Sequence, residues 1–174
     1  SRLSRNKDNR ENVDLNQLIT EVSSEIADGL DYDDVKLELE NLPVIIAEPG
    51  QMRQLFQNLL SNAYKFKREG VEQHITVKAY QAKGKDLPWS EELDTAAKYN
   101  VIEVADNGIG FDLQFSDKIF VMFQRLHGRT EFKGTGIGLA LCKKIVENHQ
   151  GLIKANSTLG EGSTFSVILP IKKN

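Results

Sequence analysis

From Gln51 to Phe66 the apolar residues Met52, Leu55, Phe56, Leu59, Leu60, Ala63 and Phe66 fall on one arc at about 100° per residue, which predicts an amphipathic helix with one buried face. Such a face has to be covered by another layer of structure, so the rest of the chain must supply one. The same plot gathers Gln51, Asn58, Asn62 and Lys65 at the edge of the apolar arc rather than opposite it. Asn is a mediocre helix former because its side chain competes for nearby backbone groups. Two amides four residues apart, bordering the core, therefore predict a shared polar cleft.

Strand patterns supply the second layer. "VKLELE" alternates from Val35, and "LPVIIAE" is a short apolar run opened by Pro43; the pair reads as a hairpin joined at Asn41–Pro43. "HITVKAYQA" and "YNVIEVADN" also alternate, and the acidic stretch between them is expected to be a solvated hairpin loop with Trp89 partly exposed. "LIKANST" and "GSTFSVILPIK" close the chain as two more strands. Further helices are predicted from about Asp14, as its cap, to Ala27, and from about Gly136 to Asn148, stopped by Gly151. This order predicts an α+β fold, a two-layer sandwich in which a mixed sheet of about five strands is covered on one face by about three helices. The polar lead-in, residues 1–12, reads as the tail of an upstream helix or linker, and residues 13–174 as one domain. Residues from about Asp112 to Lys133 lack a clear period, and a loop that long in a small domain is usually functional.

The 22 basic and 25 acidic residues are interspersed, with no basic stripe of the kind that nucleic-acid binding requires. A single cysteine, Cys142, excludes an internal disulfide and a multi-cysteine metal site and agrees with a cytoplasmic setting. No apolar run approaches the roughly 18 residues of a membrane span.

Two glycine motifs carry the chemistry. "VADNGIGF" ends a strand at Asp106, followed by Gly108 and Gly110 with Ile109 between them, a spacing that lets a flat ligand lie close to the backbone. "KGTGIGLAL" opens a helix with Gly134, Gly136 and Gly138, leaving bare amides at the positive end of its dipole, an arrangement suited to phosphates. Neither a dinucleotide fingerprint nor a P-loop is present, since no strand leads directly into these glycines and no Gly-Lys-Ser/Thr follows. Taken singly, these glycines also read as a plain turn and a helix start, and the Asn pair as a solvated flank. Together the three clusters amount to a metal ligand, a base reader and a phosphate cradle.

The ordered set "NLLSNAYKF", "DNGIGF", "FVMFQRL", "GTGIGLAL" and "GEGSTFSVILP" resembles the N, G1, F and G2 boxes and closing strand motif of the ATP-binding catalytic domain of two-component sensor histidine kinases, over about Val13 to Pro170. Met122, where many members carry Pro, makes it most similar to the phytochrome-like group. The resemblance implies the Bergerat-type ATP-binding sandwich, with the aperiodic stretch as an ATP lid. It implies that Asn62 ligates Mg²⁺, that Asn58 orients water or phosphate, and that Lys65 and Arg125 meet the phosphates. Asp106 would accept from the exocyclic amine of adenine, with Gly108, Ile109 and Gly110 beneath the ring and Thr164 nearby. Phe120 and Phe123 would pack the lid, equally as nucleotide contacts or as core residues. Gly134, Thr135, Gly136, Gly138 and Leu139 would line the phosphate end.

Gyrase-like ATPases use Glu where this chain has Asn58, so hydrolysis should be poor and transfer to a histidine favoured. His74, His127 and His149 match no phosphoacceptor motif and are expected to be surface or loop residues. The acceptor would lie on a dimerisation domain outside these residues, with a response regulator downstream, no nucleic-acid partner, and a monomeric fragment of a homodimeric protein that is cytoplasmic or membrane-anchored. Two alternatives remain at this point: a degenerate nucleotide-binding module without transfer, for which loss of Arg125 would be the mark, and a hydrolytic ATPase or serine kinase of the same fold.

Overall fold

The computed structural model describes residues 9–30, 35–116, 118–120 and 137–172. In chain order the elements are β1 (Glu11–Asp14), α1 (Leu15–Leu30), β2 (Val35–Glu40), β3 (Val44–Ala47), α2 (Pro49–Lys65), β4 (Gln73–Lys83), β5 (Lys98–Asp106), α3 (Ile137–Asn148), β6 (Leu152–Thr158) and β7 (Gly162–Pro170). The main sheet runs β2-β4-β5-β7-β6; β2 is parallel to β4 and every other pair is antiparallel. The three helices pack on one face of this mixed sheet, as the residue pattern predicts.

Local chemistry starts each helix. Asp14 Oδ1 accepts from the Gln17 amide at 3.2 Å to cap α1. Glu48 caps α2, accepting from Gly50 N and Gln51 N at 3.1 and 2.7 Å, and Pro49 follows at the first position, where no amide hydrogen is needed. The apolar arc of α2 is buried in full: Met52, Leu55, Phe56, Leu59, Leu60 and Ala63 enter the core beside Ile75, Val77, Ile102 and Val104 of the sheet. Each such side chain stabilises the fold by about 1.5–3 kcal/mol relative to exposure. The end of α3 differs in detail from expectation. The left-handed residue is Gln150, at φ 58°, while Gly151 is required for space, since a Cβ there would lie 2.4 Å from the Ile168 carbonyl oxygen.

The expected β2–β3 hairpin does not form. β2 joins the main sheet through β4, and β3 pairs antiparallel with β1 in a separate two-stranded sheet, Glu11 opposite Ala47 and Asp14 opposite Val44. Both strands face the same core, β2 with partly buried Val35, Leu37 and Leu39 and β3 with buried Ile45 and Ala47, but β3 finds its partner about thirty residues upstream. Glu11 and Asn12, grouped by composition with the polar lead-in, are thus paired in a sheet. The 84–97 segment folds back over the helix-free face of the sheet. Leu87 and half-buried Trp89 cover Tyr99, Val101 and Ile168 there, held by a Lys154–Glu92 ion pair at 2.6 Å.

His149 is a second correction. It is only 3% exposed, not a surface residue. One ring nitrogen, Nε2, accepts from the Glu48 amide at 3.2 Å, and Nδ1 lies 2.8 Å from the Ile145 carbonyl oxygen, so the neutral ring ties the end of α3 to the start of α2.

Two outcomes follow. Deleting residues 1–12 removes the Glu11 and Asn12 rungs and the Arg10 bond to the Asn148 carbonyl; at about 1–2 kcal/mol lost, the melting temperature is expected to fall by about 3–8 °C by calorimetry. An unchanged value would show that β1 adds nothing to the fold. Burial, followed by the charges of Arg10 and Lys172, lowers the His149 pKa below its ordinary 6.5. A base with a depressed folded pKa contributes stability that is present above its unfolded pKa and lost as pH falls through it. Urea unfolding should therefore show a loss of stability below about pH 6.5 that is shallower in His149→Gln; parallel profiles would rule out this residue as the cause.

Candidate functional site

The Asp106 turn, the polar edge of α2 and the described first turn of α3 meet at one end of the sandwich. β5 delivers Asp106 and the following turn, α2 delivers its polar edge, and the first turn of α3 lies against that edge. Asn58 Nδ2 donates to the Gly138 carbonyl at 3.4 Å. Asn58 and Asn62 are half-buried and Lys65 is exposed in the last turn of α2. Among the described residues the Asn62 side chain makes no hydrogen bond, which leaves its oxygen available to a ligand.

Backbone crowding holds the Asp106 turn. Ile109 N donates to the Phe66 carbonyl at 2.9 Å, joining the turn to the C-terminal end of α2. A Cβ on Gly108 would sit 2.1 Å from that same oxygen, and one on Gly110 would sit 2.3 Å from the Thr158 carbonyl oxygen. Gly110 also has φ +65°. Gly138 is different: a Cβ there would meet Asn58 at 3.6 Å, an ordinary contact, so no steric demand for glycine operates within α3. Leu139 packs against the main core.

Thr164 takes a place that differs from expectation, Phe120 takes one of its two expected places, and Asn107 has a role that was not expected. Thr164 is paired with Ala105, and its neighbours Ser163 and Phe165 point the opposite way, into the helical layer; Thr164 therefore lies on the far face of the sheet from Asp106. Ser163, directly opposite Asp106, occupies the place expected of Thr164. Phe120 is buried against Phe165, ring centroids 6.2 Å apart and nearly perpendicular, so it is a core residue that anchors the start of the aperiodic stretch. Asn107, quoted in the motif but given no role, is the clamp of the turn. Its Oδ1 accepts from His74 N at 2.9 Å, its Nδ2 donates to the Glu72 carbonyl at 2.8 Å, and its own carbonyl accepts from Arg68 Nε at 2.8 Å. Nothing in the spacing signals this, because the three partners lie in the loop before β4 and at the start of β4 itself. Arg125, Phe123, Gly134, Thr135 and Gly136 lie outside the described residues.

Asp106 is the strongest electrostatic feature. Its carboxyl is mostly buried; Oδ1 accepts from Gly108 N at 2.8 Å, and the Ser163 amide also donates to it. Burial outweighs these bonds and pushes the pKa up from 3.8 to about 6. Among the described residues no cation pairs with it. A buried carboxylate of this kind is a site for a neutral donor such as an amine on an aromatic ring. Cys142, beneath Asn58, is the reverse case: burial raises its thiol to about 12, so it is packing and not a nucleophile.

An acid whose folded pKa is raised contributes stability that is complete below its unfolded pKa and lost as pH rises through its folded one. Stability attributable to Asp106 therefore falls between about pH 4 and pH 6, by about 3 kcal/mol if the whole shift is realised. Asp106→Asn should remove that slope and raise the unfolding free energy of the ligand-free domain at neutral pH; an Asn variant less stable than the parent at pH 7 would contradict the burial argument.

Comparison with known proteins agrees with this geometry. Residues 47–173 match the family described as histidine kinase-, DNA gyrase B-, and HSP90-like ATPase. The chain is 39% identical over 159 residues, 91% of its length, to phytochrome-like protein Cph1 of Synechocystis, covering 19% of that protein. It is 47% identical over 131 residues, 75% of its length, to cyanobacterial phytochrome A of Nostoc, covering 15% of that protein. The chain thus spans about a fifth or less of these curated relatives. Among solved structures it resembles the mycobacterial sensor histidine kinase MprB, with TM-score 0.72 and 20% identity over 95% of this chain and 99% of that one. Full-length ShkA in complex with AMPPNP gives TM-score 0.72 and 23% identity over 95% of this chain and 32% of that one. At these identities the structural likeness speaks for the fold, and the matched sequence together with the Asp106 turn shows that the chain belongs to the histidine kinase-, DNA gyrase B- and HSP90-like ATPase family.

Proposed function

We propose that this chain is the ATP-binding catalytic domain of a sensor histidine kinase of the phytochrome-like group, transferring the γ-phosphoryl of ATP to a histidine on a dimerisation domain outside these 174 residues. The observation that carries the reading is the Asp106 carboxylate, buried without a cation among the described residues and backed by the Gly108 and Ser163 amides, at the floor of the cleft that α2 edges with Asn58 and Asn62. The exocyclic amine of adenine satisfies that acceptor, and guanine carries a carbonyl in the same place, so the site selects ATP over GTP. The curated relatives are named as phytochromes and sensor kinases, which supports the same reading.

Asn62 fits a hard cation. Its amide oxygen is neutral and exposed to the cleft edge, and among the described residues no cluster of three or more His, Cys, Asp or Glu competes for a metal. Mg²⁺ held by Asn62 and the triphosphate would neutralise charge as the phosphoryl group leaves. Lys65 adds a point charge at the same end of α2, and Arg125 adds a second from the lid. Asn58 has no basicity with which to activate water, so the domain positions ATP and leaves the nucleophile to the acceptor imidazole. The phosphorus–oxygen bond to ADP breaks as a phosphorus–nitrogen bond forms on that ring, and the ring's proton goes to solvent. Residues 1–8 then belong to the connection from the dimerisation helices, the full protein is a cytoplasmic or membrane-anchored homodimer, and a response regulator receives the phosphate from the histidine.

Calorimetric titration with a non-hydrolysable ATP analogue and its GTP counterpart, each with and without Mg²⁺, tests the site. Binding is expected to be adenine-selective and Mg²⁺-dependent; Asn62→Ala should abolish the Mg²⁺ dependence, and Asp106→Asn should weaken binding by about ten-fold or more. Addition of the separate dimerisation domain with radiolabelled ATP should give an acid-labile phosphohistidine. Nucleotide binding without transfer would favour a nucleotide-sensing module, and release of inorganic phosphate without an acceptor would favour a hydrolase.

A further inference from the structure

At the end of the sandwich away from the Asp106 turn there is a cavity of about 210 Å³ between the β1–β3 sheet and the last residues of β7. Two cations border it, Arg10 and Lys172, and no carboxylate does. Both are drawn toward one neutral atom: Arg10 Nη1 and Lys172 Nζ lie 3.4 and 3.1 Å from Gln150 Oε1. In a chain with more acidic than basic residues, two converging cations that share an amide oxygen, with no counter-ion among the described residues, are a charge arrangement open to an anionic partner. Burial first, and then the charge of Arg10, lowers the pKa of both Lys172 and His149.

The remaining wall is apolar. Val44, 59% exposed, and Ile46 form one side, and Pro170 and Ile171 form another. Asn100, buried in β5, adds an amide whose oxygen already accepts from Gln81 at 3.2 Å. Cations at one rim and exposed aliphatic surface at the other are complementary to an amphiphile, not to a bare ion: the head replaces the missing counter-ion, and the body covers Val44 and Ile46.

We propose that this cavity is a binding site for a small organic carboxylate with an apolar body, its head between Arg10 and Lys172 and its body against Val44, Ile46 and Pro170. The site is separate from the Asp106 cleft and does not depend on the nucleotide reading. Benzoate titrated into the ¹⁵N-labelled 174-residue chain should shift the amides of Val44 to Ile46 and Leu169 to Lys172 saturably. Acetate, which lacks the body, and benzyl alcohol, which lacks the charge, should bind at least about ten-fold more weakly. Lys172→Gln should weaken benzoate by a similar factor, as should Arg10→Gln. If Arg10→Gln disturbs the spectrum as a whole through its loss of the Asn148 carbonyl, Lys172→Gln decides, since its only hydrogen bond among the described residues is to Gln150. Absence of saturable shifts, equal binding of benzyl alcohol, equal or tighter binding of acetate or inorganic phosphate, or benzoate affinity unchanged in Lys172→Gln would each overturn the proposal.

Discussion

The close approach of three backbone segments at the end of β5 is the constraint from which the site follows. The C-terminal end of α2, the turn after Asp106 and the β6–β7 turn meet so tightly that Gly108, Gly110 and Gly162 each have a carbonyl oxygen where a Cβ would stand, at 2.1, 2.3 and 2.1 Å. Side chains are excluded, and the packed backbone shuts water away from the Asp106 carboxyl. Desolvation then raises its pKa, and the amides of Gly108 and Ser163 recover only part of the lost hydration. The buried carboxyl is thus a destabilising element of the free protein, held in place because Asn107 bonds the turn at three points to the loop before β4 and to the start of β4.

The opposite end of the α2–α3 pair is held by a different device. There His149 joins the last turn of α3 to the Glu48 amide at the start of α2, and burial together with two neighbouring cations keeps the ring neutral. Asp106 and His149 therefore impose opposite slopes on stability against pH. The buried acid costs stability as pH rises through about 6, and the buried base costs it as pH falls below 6.5. The two effects overlap near pH 6, so the net profile of the domain is flatter than either group alone would produce.

Much of this was legible in residue order, for reasons that differ by element. The arc of α2 is a long periodic signal and agrees with the structure to within two residues at its start. β4 alternates because one face meets helices and the other is more exposed, whereas β5 and β7 are buried on both faces, the second beneath the 84–97 segment. The hairpin expected at Asn41–Pro43 failed because local pattern identifies a strand but not its partner; β3 pairs with residues that composition assigned to a polar lead-in. The exchange of Thr164 for Ser163 is a register effect, since a shift of one residue in a strand turns a side chain to the other face. Asn107 and His149 were missed because their roles consist of bonds to backbone groups distant in sequence, which no spacing rule encodes.

The amide edge of α2 limits what the cleft can do. A hydrolytic site needs a group that takes a proton from water, and neither Asn58 nor Asn62 can do so at any physiological pH. Cys142, directly beneath, is held as a neutral thiol by burial and offers no substitute base. Asp106 can accept a proton near pH 6, but its hydrogen bonds direct it into the β5 turn, and in the proposed reading it serves the adenine end, a whole triphosphate away from the bond that breaks. Lys65, exposed on the last turn of α2, offers a cationic point charge. Every described polar group at the cleft is thus suited to orient or neutralise, and none to activate a nucleophile. In the proposed kinase, that task therefore falls to the acceptor imidazole, whose lone pair needs no base before it attacks phosphorus.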